Sequence, residues 1–404
     1  MRCHATLYRE PVPPAPIIGD TTTDAGGELA KLLSQLVAFP TESSTPNVGL
    51  IRWVADHIES NGGHVTVVDG DEGRANLLAS FGPHVPGGLM LSGHTDVVPA
   101  GSGWATDPYS MTKVGDALYG RGTADMKGFI AALMRMITQF RGVELARPLH
   151  IALSFDEEIG CIGVRRALQV IAESNDIRPD VVVIGEPTMM LPRHSHLGKL
   201  AFEIVCTAAA AHSSLSHTNP SAIAAAAGLI NVLEELQHRY RPIGDPEVTF
   251  NCGTIAGGTA LNVIAQRCTF TFETRHTVDH DPDVLLEPLW EAVSRERIAL
   301  VAVGGSVDVT EIIRYPAMRT PLDDPWLHLV ERIADAGPAT SIGFGTEGGL
   351  FAEALDASVV ICGPGDIGVA HRPDEYVTVE QLLRCDRFLC TLVQQMCVDH
   401  AREG

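Results

Sequence analysis

Four short apolar runs, each leading into residues able to do chemistry, constrain this chain more than any other feature. Gly88–Ser92 (GLMLS) leads into Gly93-His94-Thr95-Asp96, and Leu149–Ser154 (LHIALS) into Phe155-Asp156-Glu157-Glu158. Val181–Ile184 (VVVI) leads into Gly185-Glu186-Pro187-Thr188. Ala357–Cys362 leads into a glycine loop ending in His371-Arg372-Pro373-Asp374-Glu375. Runs this short, without polar alternation, read as strands buried on both faces, the habit of parallel sheets covered by helices. Helical periodicity at Leu29–Phe39, Val48–Asn61, Met126–Thr138, Pro325–Ala336 and Val379–Val398 supplies the covering layers. Gly63–Val68 and Asn76–Phe81 read as further strands. In an open α/β sheet ligands bind beyond the carboxyl ends of the strands, so the polar blocks fall on the functional rim.

The character changes near Ser195–Lys199. A strand (Leu200–Thr207), a helix (Pro220–His238), two strands (Val248–Ile255 and Cys268–Thr274), a helix (Pro282–Ile298) and a strand (Ala299–Val309) follow. That β-α-β-β-α-β order is the ferredoxin-like split unit. The expected fold is α/β: a largely parallel-sheet catalytic domain in two sequence pieces, 26–197 and 315–404, with an inserted α+β lid domain at 198–314. Residues 1–25, broken by prolines, read as a loose arm, and His194 and His196 as a solvated linker.

The chain has 404 residues and a formal net charge of −21, which disfavours nucleic acid and anionic membranes as partners. A local arginine can still hold an anionic small substrate. No run approaches the roughly 18 apolar residues that span a bilayer, and the first residues lack a secretory signal's apolar segment. The nine scattered cysteines never form C-x-x-C, which suits reduced thiols in a cytoplasm.

Taken singly, each candidate has an ordinary reading. Asp125 resembles a helix N-cap, Glu157–Glu158 a solvated pair, Asp96 a turn cap, and His371 a surface histidine. Together with His94 and Glu186 they share one rim, which independent ordinary roles do not predict. Imidazole and carboxylate without thiolate suit zinc or a similar divalent ion. Two metals about 3.5–4 Å apart need a shared carboxylate, with one histidine and one further acid for each. Of two adjacent glutamates, one can bind metal while its neighbour acts as general base. An aspartate two residues after a ligand histidine can take that ring's other N–H, the role expected of Asp96.

The blocks GHTDVVP, GRGTADMKG, DEEIG, GEPT and AHRPDE resemble, in order, those of the di-zinc aminoacylase and exopeptidase family. The resemblance runs from about residue 29 to the end of the chain. It implies that His94, Asp125 and Glu186 hold one metal, that Asp125, Glu158 and His371 hold the other, and that Glu157 is the general base. His212, in Ala211-His212-Ser213-Ser214, resembles a histidine that the family donates across a homodimer interface to an oxyanion. Asn262 and Arg275 resemble residues that hold a substrate carboxylate. Alanines at Ala208–Ala211 stand where many relatives have glycine. The segment Phe344–Phe351 resembles the acetylornithine deacetylase branch, and Glu347 is expected to read a substrate ammonium group. The implied reaction is removal of the acyl group from an N-acyl amino acid, foremost N2-acetyl-L-ornithine in arginine biosynthesis. Succinyl-diaminopimelate desuccinylase or another hydrolase of the family is the alternative. The implied cofactors are two divalent ions, zinc before cobalt or manganese.

Gly363-Pro364-Gly365-Asp366-Ile367-Gly368 is a literal G-x-G-x-x-G, the fingerprint of a dinucleotide-binding oxidoreductase. Its context fails, because proline occupies the tight turn and no helix begins at the third glycine. The serine-hydrolase G-x-S-x-G and the zincin H-E-x-x-H are both missing from the sequence.

Overall fold

The four apolar runs lie side by side and parallel. A computed structural model describes residues 24–240 and 247–398; residues 1–23 of the expected arm, with Cys3, lie outside the described residues. The strand Leu149–Ser154 pairs with Leu89–His94, which pairs with Val181–Pro187, which pairs with Ser358–Gly363. Nearly every side chain in the four is buried, which is why their sequences carry no alternation. Parallel pairing places all four carboxyl ends on one rim.

The nine-stranded sheet is parallel through its centre and mixed at its flanks. Ala75–Phe81 and His64–Asp69 extend it antiparallel on one side. On the other side Arg193–His196 pairs antiparallel with the Ser358 strand and with Met318–Arg319, and parallel with Thr340–Ile342. The helices Ala25–Val37, Gly128–Gln139 and Val379–Val393 share one core cluster on one face, and Val164–Glu173 and Gly348–Ala354 cover the other. The first helix begins before Leu29, at Ala25, because the Asp24 side chain caps it by accepting from Gly27 N at 3.1 Å. The helix expected from Met126 begins at Gly128, since Asp125 and Met126 have non-helical backbone angles. Asp125 is therefore not a helix cap.

The second sheet joins Gly198–Thr207, Val248–Gly257, Arg267–His276 and Ser306–Tyr315, all antiparallel, with Val248–Gly257 at one edge. The helices Ala222–Arg239 and Glu287–Val301 share its separate hydrophobic core. This is the ferredoxin-like arrangement. The strand expected at Ala299–Val309 starts later. The helix runs on through Val301 with Leu300 buried, and Gly304, at φ +81, turns the chain into Ser306–Tyr315. A small sheet of Thr112–Val114, Ala117–Tyr119 and Tyr376–Thr378 was not legible, its strands being three residues each. Among the described residues no helix is long and apolar enough to cross a membrane. Cys161, Cys206, Cys268, Cys362, Cys385, Cys390 and Cys397 are buried free thiols.

His196 is not a solvated linker residue. It is buried in the Arg193–His196 strand; its Nδ1 donates to the Leu197 carbonyl at 3.0 Å and its Nε2 accepts from Gly349 N at 3.0 Å. The Gly349 contact needs the neutral ring, since a protonated Nε2 cannot accept, and burial pushes its pKa down to about 4. The unfolded chain, with histidine near 6.5, binds more protons between those values, so stability falls as pH drops from 6.5 toward 4. Glutamine at 196 keeps one donor and one acceptor but does not titrate. Urea unfolding at pH 8 and pH 5 is expected to show His196→Gln losing about 2 kcal/mol less on acidification than the native chain.

Candidate active site

His94 is the last residue of its strand and 1% exposed. Its Nδ1 donates to the Asp96 carbonyl at 2.9 Å, which leaves Nε2 facing Asp125 Oδ1 at 3.0 Å. Asp125 sits on the irregular turn before the Gly128–Gln139 helix and directs its other oxygen, Oδ2, to His371 Nε2 at 3.1 Å. His371 Nε2 also stands 3.0 Å from Glu158. Two groups of ligand atoms result, His94 with Asp125 and Glu186, and Asp125 with Glu158 and His371, each within 4.8 Å of one another. Asp125 belongs to both.

The donors fit a pair of divalent cations. With Nδ1–H engaged by a carbonyl, a neutral His94 presents a lone pair to a carboxylate oxygen, and two acceptors at 3.0 Å need a cation or proton between them. The electrostatics of the cluster reflect that demand. Burial opposes charge on His94, yet the Asp125 hydrogen bond and the Glu186, Asp125 and Glu157 charges hold its pKa well above the ordinary value. The Asp125 and Glu158 hydrogen bonds push His371 up to about 10. Burial and neighbouring carboxylates push Glu157 and Glu186 well up and Glu158 to about 7. Burial would raise Asp125 too, but the two imidazoles hold it low. Asp125, Glu157, Glu158, Glu186 and His371 line one cavity of about 290 Å³. Such a crowd of acids in a dry site is what bound cations neutralise.

The residues behind the cluster fix its geometry. The Asp96 carbonyl, not its carboxylate, takes the His94 N–H; Oδ1 is 3.6 Å from that nitrogen. The carboxylate instead accepts from Glu157 N at 3.0 Å, Glu158 N at 3.3 Å and Ser43 Oγ at 2.7 Å, tying the two glutamates to the end of the His94 strand. Glu375 Oε1 accepts from Ala124 N at 2.9 Å and Asp125 N at 3.1 Å, while Oε2 takes Arg121 Nη1 at 2.6 Å. Arg121 also lies over the Trp104 ring. Asp156 and His371 both hold left-handed backbone angles, φ +54 and +62, at the sharp turns that aim this rim. The glycine loop before His371 is a packing device. A Cβ on Gly363 would stand 2.1 Å from Gly185 O, and Met189 N and Met190 N donate to the carbonyls of Gly365 and Gly363.

Three expected residues lie elsewhere. His212 and Asn262 are exposed neighbours, joined by Ser213 N donating to Asn262 O at 3.0 Å, and neither lines the cavity. Glu347 is 1% exposed and also outside the lining; burial pushes its pKa up to about 7. A carboxyl so placed backs the cluster, and its charge helps to raise Glu157 and Glu186. Arg275 does line the cavity, its Nε on Glu273 at 3.1 Å. Arg121 and Glu375 were missed although both stand inside motif blocks; a lone Arg or Glu there carries no sign of its partner about 250 residues away. Lys199 and Tyr315 line the cavity as well, and no motif contains them.

A parallel-centred α/β sheet with overlapping histidine–carboxylate groups at its rim defines a metallohydrolase. Residues 90–395 match Peptidase family M20/M25/M40, and the chain belongs to that family. It is 32% identical over 384 residues to an acetylornithine deacetylase of Pasteurella multocida (strain Pm70), covering 91% of this chain and 97% of the relative. Its fold resembles an M20 family metallo-carboxypeptidase, Sso-CP2, of Sulfolobus solfataricus (TM-score 0.75, 17% identity, 91% and 98% of the two chains). It also resembles the YXEP protein of Bacillus subtilis, described as a dinuclear metal-binding peptidase of the M20 family (TM-score 0.64, 15% identity, 91% and 97%).

Glu375→Gln keeps the acceptor's shape and removes its charge. We expect the folded variant, verified by circular dichroism, to bind zinc roughly 10–100-fold more weakly in a chelator competition, the usual cost of losing support behind a ligand.

Proposed function

We propose that the protein hydrolyses the acyl amide of an N-acyl amino acid, and specifically N2-acetyl-L-ornithine to L-ornithine and acetate. One observation carries the reading. Asp125 offers one oxygen to His94 and the other to His371, and each pair has a further glutamate of its own. The Pasteurella relative and the segment Phe344–Phe351 support the choice of substrate.

In this reading His94, Asp125 and Glu186 would hold one divalent ion, and Asp125, Glu158 and His371 the other. Bound there, the ions supply Lewis-acid polarisation of an acyl carbonyl and acidify water toward a pKa of about 7. Zinc suits the donors first, cobalt or manganese after it. Glu157 takes the proton of the attacking water on its carboxylate and returns it to the leaving amine nitrogen. Asp96 keeps Glu157 in place through the Glu157 N–H. Arg275 and Asn262 hold the substrate carboxylate, the guanidinium because its fork matches two oxygens.

His212 steadies the developing oxyanion from a second subunit. Its exposure away from the cavity supports a role in trans. The edge strand Val248–Gly257 is exposed from Asn251 onward apart from Cys252, and Leu261 beside it is 103% exposed, which supports a homodimer formed by this sheet. The lid, 198–314, closes on the catalytic body, 26–197 with 315–404, about the junctions near Ser195–Lys199 and Arg314–Arg319. The buried free thiols support action in the cytoplasm.

A panel of acetylornithine, succinyl-diaminopimelate, acetylcitrulline and glycine dipeptides, with metal analysis, tests the reading. Acetylornithine is expected to turn over fastest; hydrolysis of dipeptides alone would overturn the assignment. Glu157→Ala is expected to keep its metal and lose about 10²–10⁴-fold in kcat. Mixed dimers of Glu157→Ala and His212→Ala chains are expected to regain part of the activity that each homodimer lacks, and no recovery at all would reject action in trans.

A further inference from the structure

The cavity has a wall as well as a metal-ligand floor. Arg275 lies directly opposite Lys199 in the register of their two strands, and Lys199 directly opposite Tyr315 in the next pair. Residues opposed in this way share one face of a sheet, so the three form a row across three strands. All three line the cavity that Asp125, Glu157, Glu158, Glu186 and His371 line from the other side.

The charges of that row are not balanced internally. Glu273, two residues before Arg275 and so on the same face, receives Lys199 Nζ on Oε2 at 2.6 Å and Arg275 Nε on Oε1 at 3.1 Å. Burial would raise the Glu273 pKa, but these two cations hold it below the ordinary value. One carboxylate thus faces two full positive charges, where one would neutralise it. The Lys199 ammonium has three N–H donors, one of them on Glu273. Arg275 has Nη1 on Gly343 O at 3.4 Å, and its Nη2 makes no hydrogen bond among the described residues. With Nε taken by Glu273, the guanidinium cannot offer that edge to a ligand, so a second cation beside it has a purpose.

We propose that Lys199 is a substrate-binding residue that joins Arg275 in gripping the substrate's carboxylate, with Glu273 as the positioning residue that spaces the two cations. The inference rests on the N-acyl amino-acid reading, because it takes that carboxylate as its ligand. Specificity for a free carboxylate then comes from two cations on adjacent strands. Tyr315 closes the same row at its far end.

The test compares one N-acyl amino acid with its carboxamide in the native enzyme and in Lys199→Met, Lys199→Gln and Lys199→Arg. The native enzyme is expected to prefer the carboxylate. In Lys199→Met the KM for the carboxylate should rise roughly 10–100-fold, the worth of one charge-assisted hydrogen bond, with kcat changing far less. The KM for the carboxamide should stay within about twofold, and Lys199→Arg should restore much of the preference. Lys199→Gln gives the same readout should the methionine variant fail to fold. Equal loss on both substrates would make Lys199 a mere counterion of Glu273 and overturn the inference, as would an unchanged preference. If the native enzyme hydrolyses no N-acyl amino acid, the functional reading itself fails, an outcome separate from either of these.

Discussion

Everything at this rim depends on Asp125 standing between two imidazoles. A single carboxylate with one oxygen toward His94 and the other toward His371 turns two separate ligand groups into one centre. Neither histidine's own neighbourhood shows that it stands beside the other. One ends a central strand and the other follows a glycine loop 277 positions later in the sequence. Parallel pairing solves the placement, because it brings the carboxyl ends of strands distant in sequence to one edge without long excursions.

Gathering acids in a buried place is costly, and the molecule offsets that cost with buried cations set just behind the ligands. Arg121 is 1% exposed and engages Glu375, whose other oxygen accepts the backbone N–H groups of Ala124 and Asp125. Lys127 is fully buried, with Nζ donating to Phe39 O at 2.7 Å, and it lies in the field of Glu375 and Asp96. Burial pushes its pKa down to about 7, so the carboxylates help keep the lysine charged as much as the lysine helps them. Asp96 does for Glu157 and Glu158 what Glu375 does for Asp125. In each case a carboxylate behind the cluster holds backbone N–H groups, and so sets the angle of the carboxylates in front of it.

The central strands and the histidines and acids beyond them were legible because they obey local rules. An apolar run needs no partner to be recognised as a buried strand, and a histidine or acid just past its end is conspicuous. What stayed hidden was relational. The strand Arg193–His196 looked like linker because its partners, Met318–Arg319, Thr340–Ile342 and Gly349, lie far along the chain. The Ala299–Val309 stretch is apolar enough for either state, and its first residues, through Val301, are held in the helix by packing of Leu300 in the second core. Lys199 showed nothing, since its meaning lies in the residues opposite it on two other strands. That His212 and Asn262 are neighbours, joined through Ser213 N and Asn262 O, was equally invisible, since 50 residues separate them in sequence.

The second sheet explains why the substrate wall can be so exact. Its helices cover one face, burying Phe270, Phe272 and Thr274, and leave the alternate residues Glu273 and Arg275 for the other. Strand alternation therefore assigns recognition and packing to the same strand without conflict. The wall is joined to the metal-ligand body at Gly198 and at Tyr315–Ala317, and these crossings touch. A Cβ on Gly198 would lie 2.6 Å from Ala317 N and 2.5 Å from His276 Nε2. Only glycine lets the two crossings lie this close. Because Lys199 and Tyr315 are the residues next to those crossings, any rotation of one body on the other swings about a point beside the cation row. In the proposed closure the row would therefore move least relative to Glu158 and His371, while His212 and Asn262, at the far end of the sheet, would move most. For the proposed substrate, a carboxylate grip near the pivot with moving groups far from it is the arrangement that would let binding precede closure.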